Sequence, residues 1–162
     1  MIKRFSAVAA ALVATMLWSG AMGIAYAHGN EHEETAYGRP GDPKKPARTI
    51  EVVMKENEGD YEMMFVPNRI VIHKGEQIRF LLRNNGARDH EFVLATLQDN
   101  LTHMKEMEKN PDMEHDDPNA RRLKPKGTAE ILWQFTKTGT FDFSCLIPGH
   151  RPAGMFGTII VE

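Results

Sequence analysis

The stretch from Arg69 to Asn84 reads RIVIHKGEQIRFLLRN, and it alternates between apolar and polar side chains in two runs. Apolar residues recur at every second position on either side of Lys74–Gly75: Ile70, Ile72, Ile78, Phe80 and Leu82. This period is typical of a β-strand with one buried face, and the Lys-Gly pair between the runs is typical of a turn. The stretch therefore predicts two short strands joined by a turn.

Similar runs occupy most of the chain after residue 48, which predicts an all-β fold. TIEVVMK alternates, and YEMMFVP places Tyr61, Met63 and Phe65 on one face. Four more strands are predicted: Glu91–Ala95, Thr128–Phe135, Thr140–Ser144 and Gly157–Val161. Short strands at this spacing are typical of an antiparallel sandwich or barrel. With 162 residues, 41% of them hydrophobic, the chain is expected to form a single folded domain.

Residues 1–27 have the layout of a secretory signal peptide. Lys3 and Arg4 precede the apolar run FSAVAAALVATMLW, and the small-residue sequence AYA ends at Ala27. We predict cleavage after Ala27 and export to the periplasm. The alternative is an uncleaved anchor, but the apolar run Phe5–Trp18 is short against the roughly 20 residues that a spanning helix needs. No stable membrane insertion is expected after cleavage.

Two segments depart from the strand pattern. Residues 28–48 are rich in Gly, Pro and charge and predict a flexible tail that contains His28 and His32. Residues 96–126 predict a helix and loop insert, because Leu97, Leu101 and Met104 follow helical spacing over Leu97–Lys109 and the polar loop NPDMEHDDPNA comes next. An insert of this length is either a functional flap or a disordered loop.

Charge and cysteine content narrow the function classes. Without Lys3 and Arg4 the 20 basic residues become 18 against 22 acidic ones, a formal charge of −4, which gives no electrostatic footprint for nucleic acid. Cys145 is the single cysteine, so it has no internal disulfide partner. It is an inert buried thiol, an intermolecular cross-link or a thiolate with a function.

The sequence around Cys145 favours a metal site. In CLIPGHRPAGMFG, His150 follows Cys145 after four residues and Met155 follows after four more, with two prolines and two glycines between Cys145 and Met155. These turn residues predict a tight loop that can bring three side chains to one point. Thiolate, imidazole and thioether are ligands that copper prefers, and two histidines, one cysteine and a weak axial methionine form a blue-copper electron-transfer site.

That ligand set needs a second histidine from elsewhere in the chain. The other histidines are His28, His32, His73, His90, His103 and His115. His90 is the strongest candidate, because it follows a glycine-containing loop and begins a predicted strand, where a rigid sheet can hold it.

These residues carry a resemblance to a known family. The pattern F-x-P-x-x-I-x-I-x-x-G-x-x-I-x-F beginning at Phe65, the Asn84–Asn85 pair before His90 and the Cys-His-Met loop resemble the cupredoxins, the blue-copper proteins of the plastocyanin and azurin family. The resemblance covers residues 49–162, and its loop spacing is similar to that of rusticyanin and the periplasmic copper-tolerance cupredoxins. It implies a Greek-key β-sandwich and a type 1 copper held by His90, Cys145, His150 and Met155.

The resemblance also shows one departure and implies two functions. Glu91 stands where plastocyanin and azurin have an asparagine that ties the ligand strand to the cysteine loop, so the groups that bond the sulfur are not predicted. We expect a monomer that is not an enzyme and transfers single electrons to a redox protein partner. The alternative is a copper-tolerance protein that sequesters, oxidises or hands over periplasmic copper, with a copper-handling protein as its partner.

Accessory copper ligands would favour that alternative. The candidates are His28, His32, His103, Met107, Met113 and His115. Thioethers and imidazoles suit Cu(I), but methionines also fill gaps in cores, and the histidines of a tail can be incidental. Both interpretations stay open at this point.

Overall fold

The computed structural model describes residues 34–57, 59, 62–111, 113 and 117–162. Over these residues the chain forms two five-stranded sheets and one α-helix. The elements are β1 (Arg39–Pro40), β2 (Arg48–Glu56), β3 (Met63–Val66), β4 (Arg69–Ile72), β5 (Gln77–Asn84), β6 (His90–Ala95), α1 (Leu97–Lys109), β7 (Ala120–Leu123), β8 (Thr128–Gln134), β9 (Gly139–Ser144) and β10 (Phe156–Val161).

The two sheets form a β-sandwich, as predicted. Sheet I has the order β1-β8-β5-β2-β3, and sheet II has the order β4-β10-β9-β6-β7. The strands are not all antiparallel, because β2 pairs in parallel with β5 and β10 pairs in parallel with β4. Alternation alone does not distinguish these arrangements, since a side chain points to the same face in either one.

The core lies between the sheets and is rich in aromatic side chains. Ile70 and Ile72 of β4 are buried while their neighbours Arg69 and Val71 are exposed, which confirms the alternation in the opening stretch. Deeper in the core the rings pack in contact, with the Phe143 centroid 5.1 Å from that of Phe65 and 5.1 Å from that of Phe92. Burial of this apolar surface is the main stabilising term.

The described part of the predicted tail, residues 34–48, packs on the sandwich, so the expected flexibility does not apply to these residues. Arg39–Pro40 pairs with β8, and the Tyr37 ring stacks on Trp133 with centroids 5.4 Å apart. Trp133 Nε1 donates to the Tyr37 carbonyl at 2.9 Å. The predicted signal peptide, His28 and His32 lie outside the described residues. None of the described helices is long and apolar enough to span a membrane.

Helix α1 confirms the predicted helix but presents a different face to the sandwich. Thr96 caps its N-terminus by accepting a hydrogen bond from the Asp99 amide at 3.1 Å. Asn100 and Met107 are the buried residues of the helix, whereas Leu97, expected in the apolar stripe, is 51% exposed. Hydrogen bonds of the Asn100 side chain decide which face of α1 is turned toward the sandwich.

The anchor of α1 is the Asn100 amide, whose Nδ2 donates to the Val93 carbonyl at 3.2 Å and to the Asp142 carboxylate at 2.6 Å. Both acceptors lie on sheet II, so α1 covers the outer face of β6, all six of whose residues are buried. The predicted 96–126 insert also contains strand β7, which pairs with β6 and was not predicted.

Candidate metal centre

Three predicted ligands converge at one end of the sandwich. The ligand atoms that His90, Cys145 and His150 offer all lie within 4.8 Å of one another, and all three residues are buried. Cys145 Sγ lies 3.2 Å from His150 Nδ1, and the centroids of the two imidazole rings are 5.2 Å apart. A lone thiol and two histidines from distant parts of the sequence thus form one cluster.

Adjacent strands of sheet II bring these residues together. His90 begins β6 and Cys145 follows the end of β9, and these two strands pair antiparallel. The amide of Asn84 donates to the carbonyls of Arg88 and Leu123 at 2.7 and 3.0 Å, and this buried side chain orders the loop before His90. The first residue of the Asn84–Asn85 motif therefore fixes, through its hydrogen bonds, the path of the loop that leads into β6 and His90.

The loop after Cys145 folds as its turn residues predict. His150 N donates to the Ile147 carbonyl at 3.0 Å, and Gly149 and Gly154 adopt positive φ angles of 88° and 100°. Residues with a side chain rarely adopt such backbone angles, so glycine at these two positions allows the loop to turn back. The result is a compact loop that returns the chain to β10.

Met155 closes this loop on the cysteine. The Cys145 amide donates to the Met155 carbonyl at 3.1 Å, and the Met155 amide donates to the His150 carbonyl at 3.1 Å. Met155 is fully buried in the same core cluster as Cys145. Its backbone is thus fixed beside two of the three converging residues, while its assignment as the fourth ligand stays a prediction.

The sulfur receives hydrogen bonds from the backbone. The Glu91 amide donates to Cys145 Sγ at 3.3 Å, and the backbone at Ile147 also lies within reach of the thiol. The bond from residue 91 does not require an asparagine side chain. With a glutamate at position 91, the chain therefore still links the ligand strand to the sulfur through the backbone. The Glu91 side chain itself is buried.

Sequence reasoning missed Glu56, which contacts His90 from the end of β2. Glu56 Oε1 lies 3.0 Å from His90 Nε2, although the two residues are 34 positions apart. A signal was present, since Val52 and Met54 point into the core and the period of two places Glu56 on the same inward side. A carboxylate at an inward strand position indicates a buried partner.

Burial sets the protonation of the cluster. It raises the pKa of the Cys145 thiol to about 12. It also lowers the pKa of His150 to about 4, an effect that the neighbouring His90 ring increases. Burial lowers the pKa of His90, although the Glu56 carboxylate opposes this. At neutral pH the metal-free cluster therefore holds a neutral thiol and two neutral imidazoles.

The donor set fits copper. Buried His90 Nδ1 has no hydrogen-bond partner among the described residues, and a metal ion would satisfy it. His150 Nδ1 and Cys145 Sγ lie 3.2 Å apart, close enough for one metal ion to be bound by both. Two imidazoles and a thiolate are the three strong ligands of a blue-copper site. Copper is therefore the metal that this centre is built to hold.

The accessory candidates are separate from this cluster where they are described. Met107 is fully buried with Val93, Ala120 and Leu146, and Met104 and Met113 pack against that second cluster. Met107 thus lies in a core cluster that Met104 also contacts, whereas the sequence predicted the two methionines on different faces of the helix. His103 is partly exposed on α1. His115 lies outside the described residues, as do His28 and His32.

Comparisons with known proteins show the family of the chain. The family of copper binding proteins described as plastocyanin/azurin matches residues 50–162. The chain is 46% identical over 141 residues to the copper-resistant cuproprotein CopI of Rubrivivax gelatinosus, covering 86% of this chain and 82% of that protein. It is 32% identical over 191 aligned positions to the copper-resistant cuproprotein CopI of Pseudomonas aeruginosa, covering 100% and 99% of the two chains.

A solved structure supports the fold. The dithionite-reduced auracyanin of Roseiflexus castenholzii superposes with a TM-score of 0.58 at 24% identity, covering 72% of this chain and 99% of that one. The described sandwich and its neighbour therefore share an architecture.

Proposed function

Because the chain belongs to the plastocyanin/azurin family of copper-binding proteins, we propose that it carries one type 1 copper and acts in one-electron transfer. The proposed ligands are His90, Cys145, His150 and Met155. The observation that carries the proposal is the buried cluster of two imidazoles and one thiol within 4.8 Å. We further propose export to the periplasm, on the signal-peptide layout of residues 1–27.

Copper, when bound, supplies a one-electron couple between Cu(I) and Cu(II). The chain contributes a fixed geometry and a dry environment. His90 and Cys145 are fully buried, and they lie at the start of β6 and directly after the end of β9, two strands that pair with each other, so the sheet holds their positions. A site that does not rearrange favours rapid exchange of electrons, because little reorganisation accompanies the change in charge.

His150 is the ligand closest to the surface. It is 7% exposed, whereas His90 and Cys145 have no exposed surface. Pro148, Gly149 and Pro152 around it are exposed. We propose that a redox protein partner docks over this loop and exchanges the electron through the His150 ring. Because the other three proposed ligands, His90, Cys145 and Met155, are fully buried, we propose that no substrate reaches the metal and that the protein is not an enzyme.

A second candidate function is copper tolerance. Relatives that align over most of this chain are described as copper-resistant cuproproteins, which supports the same role here. The placement of Met107 within the second core cluster, with Met104 and Met113 packed against it, also supports this role, because three thioethers in one place suit Cu(I). In this role the protein would sequester, oxidise or hand over copper to a copper-handling partner.

The absorption spectrum tests the shared part of both functions. We expect an intense visible thiolate-to-copper band when Cu(II) is added to the mature protein, and loss of that band in Cys145→Ser. Met54→Leu, a core substitution on β2, is the matched control and should keep the band. A band that survives Cys145→Ser would overturn the site assignment.

Stoichiometry and growth separate the two functions. A carrier should bind one copper per chain in both wild type and a variant with the insert ligands His103, Met107 and Met113 replaced. A tolerance protein with accessory sites should bind more, and lose the excess in the variant. Deletion should impair growth in copper for a tolerance protein, and respiration for a carrier.

A further inference from the structure

We propose that Glu56 is a positioning residue for the copper site: its carboxylate fixes the tautomer of His90 and its charge favours Cu(II) over Cu(I). The inference rests on the proposed function, because it assigns a role to a residue that touches a ligand of that site. Nothing in the sequence spacing around Cys145 indicates it, since Glu56 comes from β2 in the opposite sheet.

Glu56 is held by three hydrogen bonds on its two oxygens. Oε2 accepts from the Ala87 amide at 3.0 Å, and Oε1 accepts from the Arg88 amide at 3.0 Å and lies 3.0 Å from His90 Nε2. The carboxylate thus joins the end of sheet I to the loop that leads into the ligand strand. Its side chain is 19% exposed, so it is partly shielded from water.

The loop has a space shaped for this carboxylate. A Cβ atom added at Gly86 would lie 2.2 Å from Glu56 Oε2, a distance that real contacts do not reach. Gly86 is itself held by its amide, which donates to Asn84 Oδ1 at 2.9 Å. The position of the loop and the position of the carboxylate therefore depend on each other.

The contact between Glu56 and His90 decides which imidazole nitrogen is available to bind a metal. An ionised carboxylate only accepts hydrogen bonds, so His90 Nε2 must carry the proton and donate a hydrogen bond to Glu56 Oε1. Nδ1 then holds a lone pair, and this is the buried atom without a partner among the described residues. A carboxylate on the far nitrogen also makes the imidazole a more basic ligand.

The charge has a predictable effect on the metal. A negative charge hydrogen-bonded to the far nitrogen of the ligand ring stabilises the more positive ion, so Cu(II) gains more than Cu(I). Removing the charge while keeping the shape should therefore weaken Cu(II) binding more than Cu(I) binding. The reduction potential should rise as a result.

The test compares Glu56→Gln with Glu76→Gln. Glu76, in the turn between β4 and β5, is a matched control, because its carboxylate also accepts a hydrogen bond from a backbone amide, that of His73 at 2.7 Å, and pairs with a charged side chain, that of Arg48 at the start of β2. We expect Glu56→Gln to lose about 10- to 100-fold in Cu(II) affinity. If Cu(I) affinity falls tenfold less, the potential rises by about 59 mV. Glu76→Gln should change neither.

Nitrogen NMR of the metal-free wild type tests the tautomer without any copper. We expect His90 to carry its proton on Nε2, and we expect both tautomers in Glu56→Ala. A proton on Nδ1 in the wild type would overturn the proposal, as would a copper-loaded Glu56→Gln variant with an unchanged potential. If instead wild type gives no thiolate-to-copper band, the proposed function fails, and the NMR result still decides the role of Glu56.

Discussion

Arg151 and Asp142 form a two-point ion pair directly beside the metal centre, with Nη1 2.9 Å from Oδ1 and Nη2 3.1 Å from Oδ2. Asp142 Oδ1 also accepts from Asn100 of α1 and from the Ser144 hydroxyl, at 2.6 Å each. Arg151 is next to His150 in the loop. The copper loop, strand β9 and helix α1 are therefore joined by one buried polar network, which explains why α1 turns Asn100 and not Leu97 inward.

Asp142→Asn should destabilise the protein markedly. The two side chains of the pair are 12% and 9% exposed, so removing the charge leaves the Arg151 guanidinium without its counter-ion. Breaking a buried pair from one side costs about 3 kcal/mol. Denaturant unfolding of the metal-free protein measures this loss.

The exposed pair Arg83–Glu51 provides the control. Its side chains are 55% and 54% exposed, and Glu51→Gln should cost less than about 1 kcal/mol. Equal losses for Asp142→Asn and Glu51→Gln would contradict the importance of the buried network.

Metal binding should release one proton per ion at neutral pH. The pKa of Cys145 is about 12 in the metal-free protein, so the thiol must lose its proton to bind as a thiolate. The pKa of His150 is about 4, so this ring is already neutral and contributes no proton. Using Zn(II), which has no redox chemistry, we expect the apparent affinity to rise about tenfold per pH unit between about pH 6 and 8.

Cys145→Ser is the control for this proton. Because a serine hydroxyl does not ionise in this range, the variant should bind Zn(II) weakly and with an affinity almost independent of pH. A wild-type affinity that does not change between pH 6 and 8 would show that the thiol is already ionised.

The metal-free protein should lose stability as the pH falls from 6.5 to 4. The folded state lowers the pKa of His150 from 6.5 to about 4, so its contribution is present above pH 6.5 and is lost as the pH falls through the folded value. This pKa difference corresponds to about 3 kcal/mol. Urea unfolding at pH 7 and pH 4.5 measures the combined loss, to which the lowered pKa of His90 also contributes, and His150→Asn should remove the His150 part of the difference between the two pH values.

Gly86→Ala should act through Glu56. Because the new methyl group would collide with the carboxylate, we expect the variant to push Glu56 away from His90 and raise the reduction potential. A double-mutant cycle with Glu56→Ala checks the route, since neighbouring residues couple by about 0.5 to 3 kcal/mol. If Gly86→Ala has the same effect with and without the Glu56 carboxylate, the collision is not the cause.

Met107→Leu separates packing from copper binding in the second cluster. Met107 is fully buried, and a swap that conserves volume costs less than about 1.5 kcal/mol. The fold should therefore persist, as circular dichroism and thermal unfolding will measure. Under the copper-tolerance function we expect fewer Cu(I) ions per chain in this variant, whereas Leu97→Ala, a change at an exposed helix position, should leave the number unchanged.

Short sequence patterns predicted the structure correctly where its physical cause lies within a few neighbouring residues. The period of two around Ile70 and Ile72 predicted strands, because alternate side chains of any strand face opposite sides. The glycines and prolines after Cys145 predicted a tight loop, because turns need these residues. The face of α1 was mispredicted, because Asn100 is anchored by Asp142, a residue 42 positions away that no helical pattern includes.

The sequence by itself determined an all-β fold of alternating strands, since strands follow from residue types and short spacings, and it predicted the donor set of the metal centre from the Cys-His-Met loop and one distant histidine. Only the tertiary structure decided which groups support those donors. The parallel register of β2 and β5 pairs Met54 with Asn84, and this pairing places Glu56, two residues further along β2, beside the loop before His90. A pairing between distant strands depends on the packing of the whole core, so no short stretch of sequence contains it.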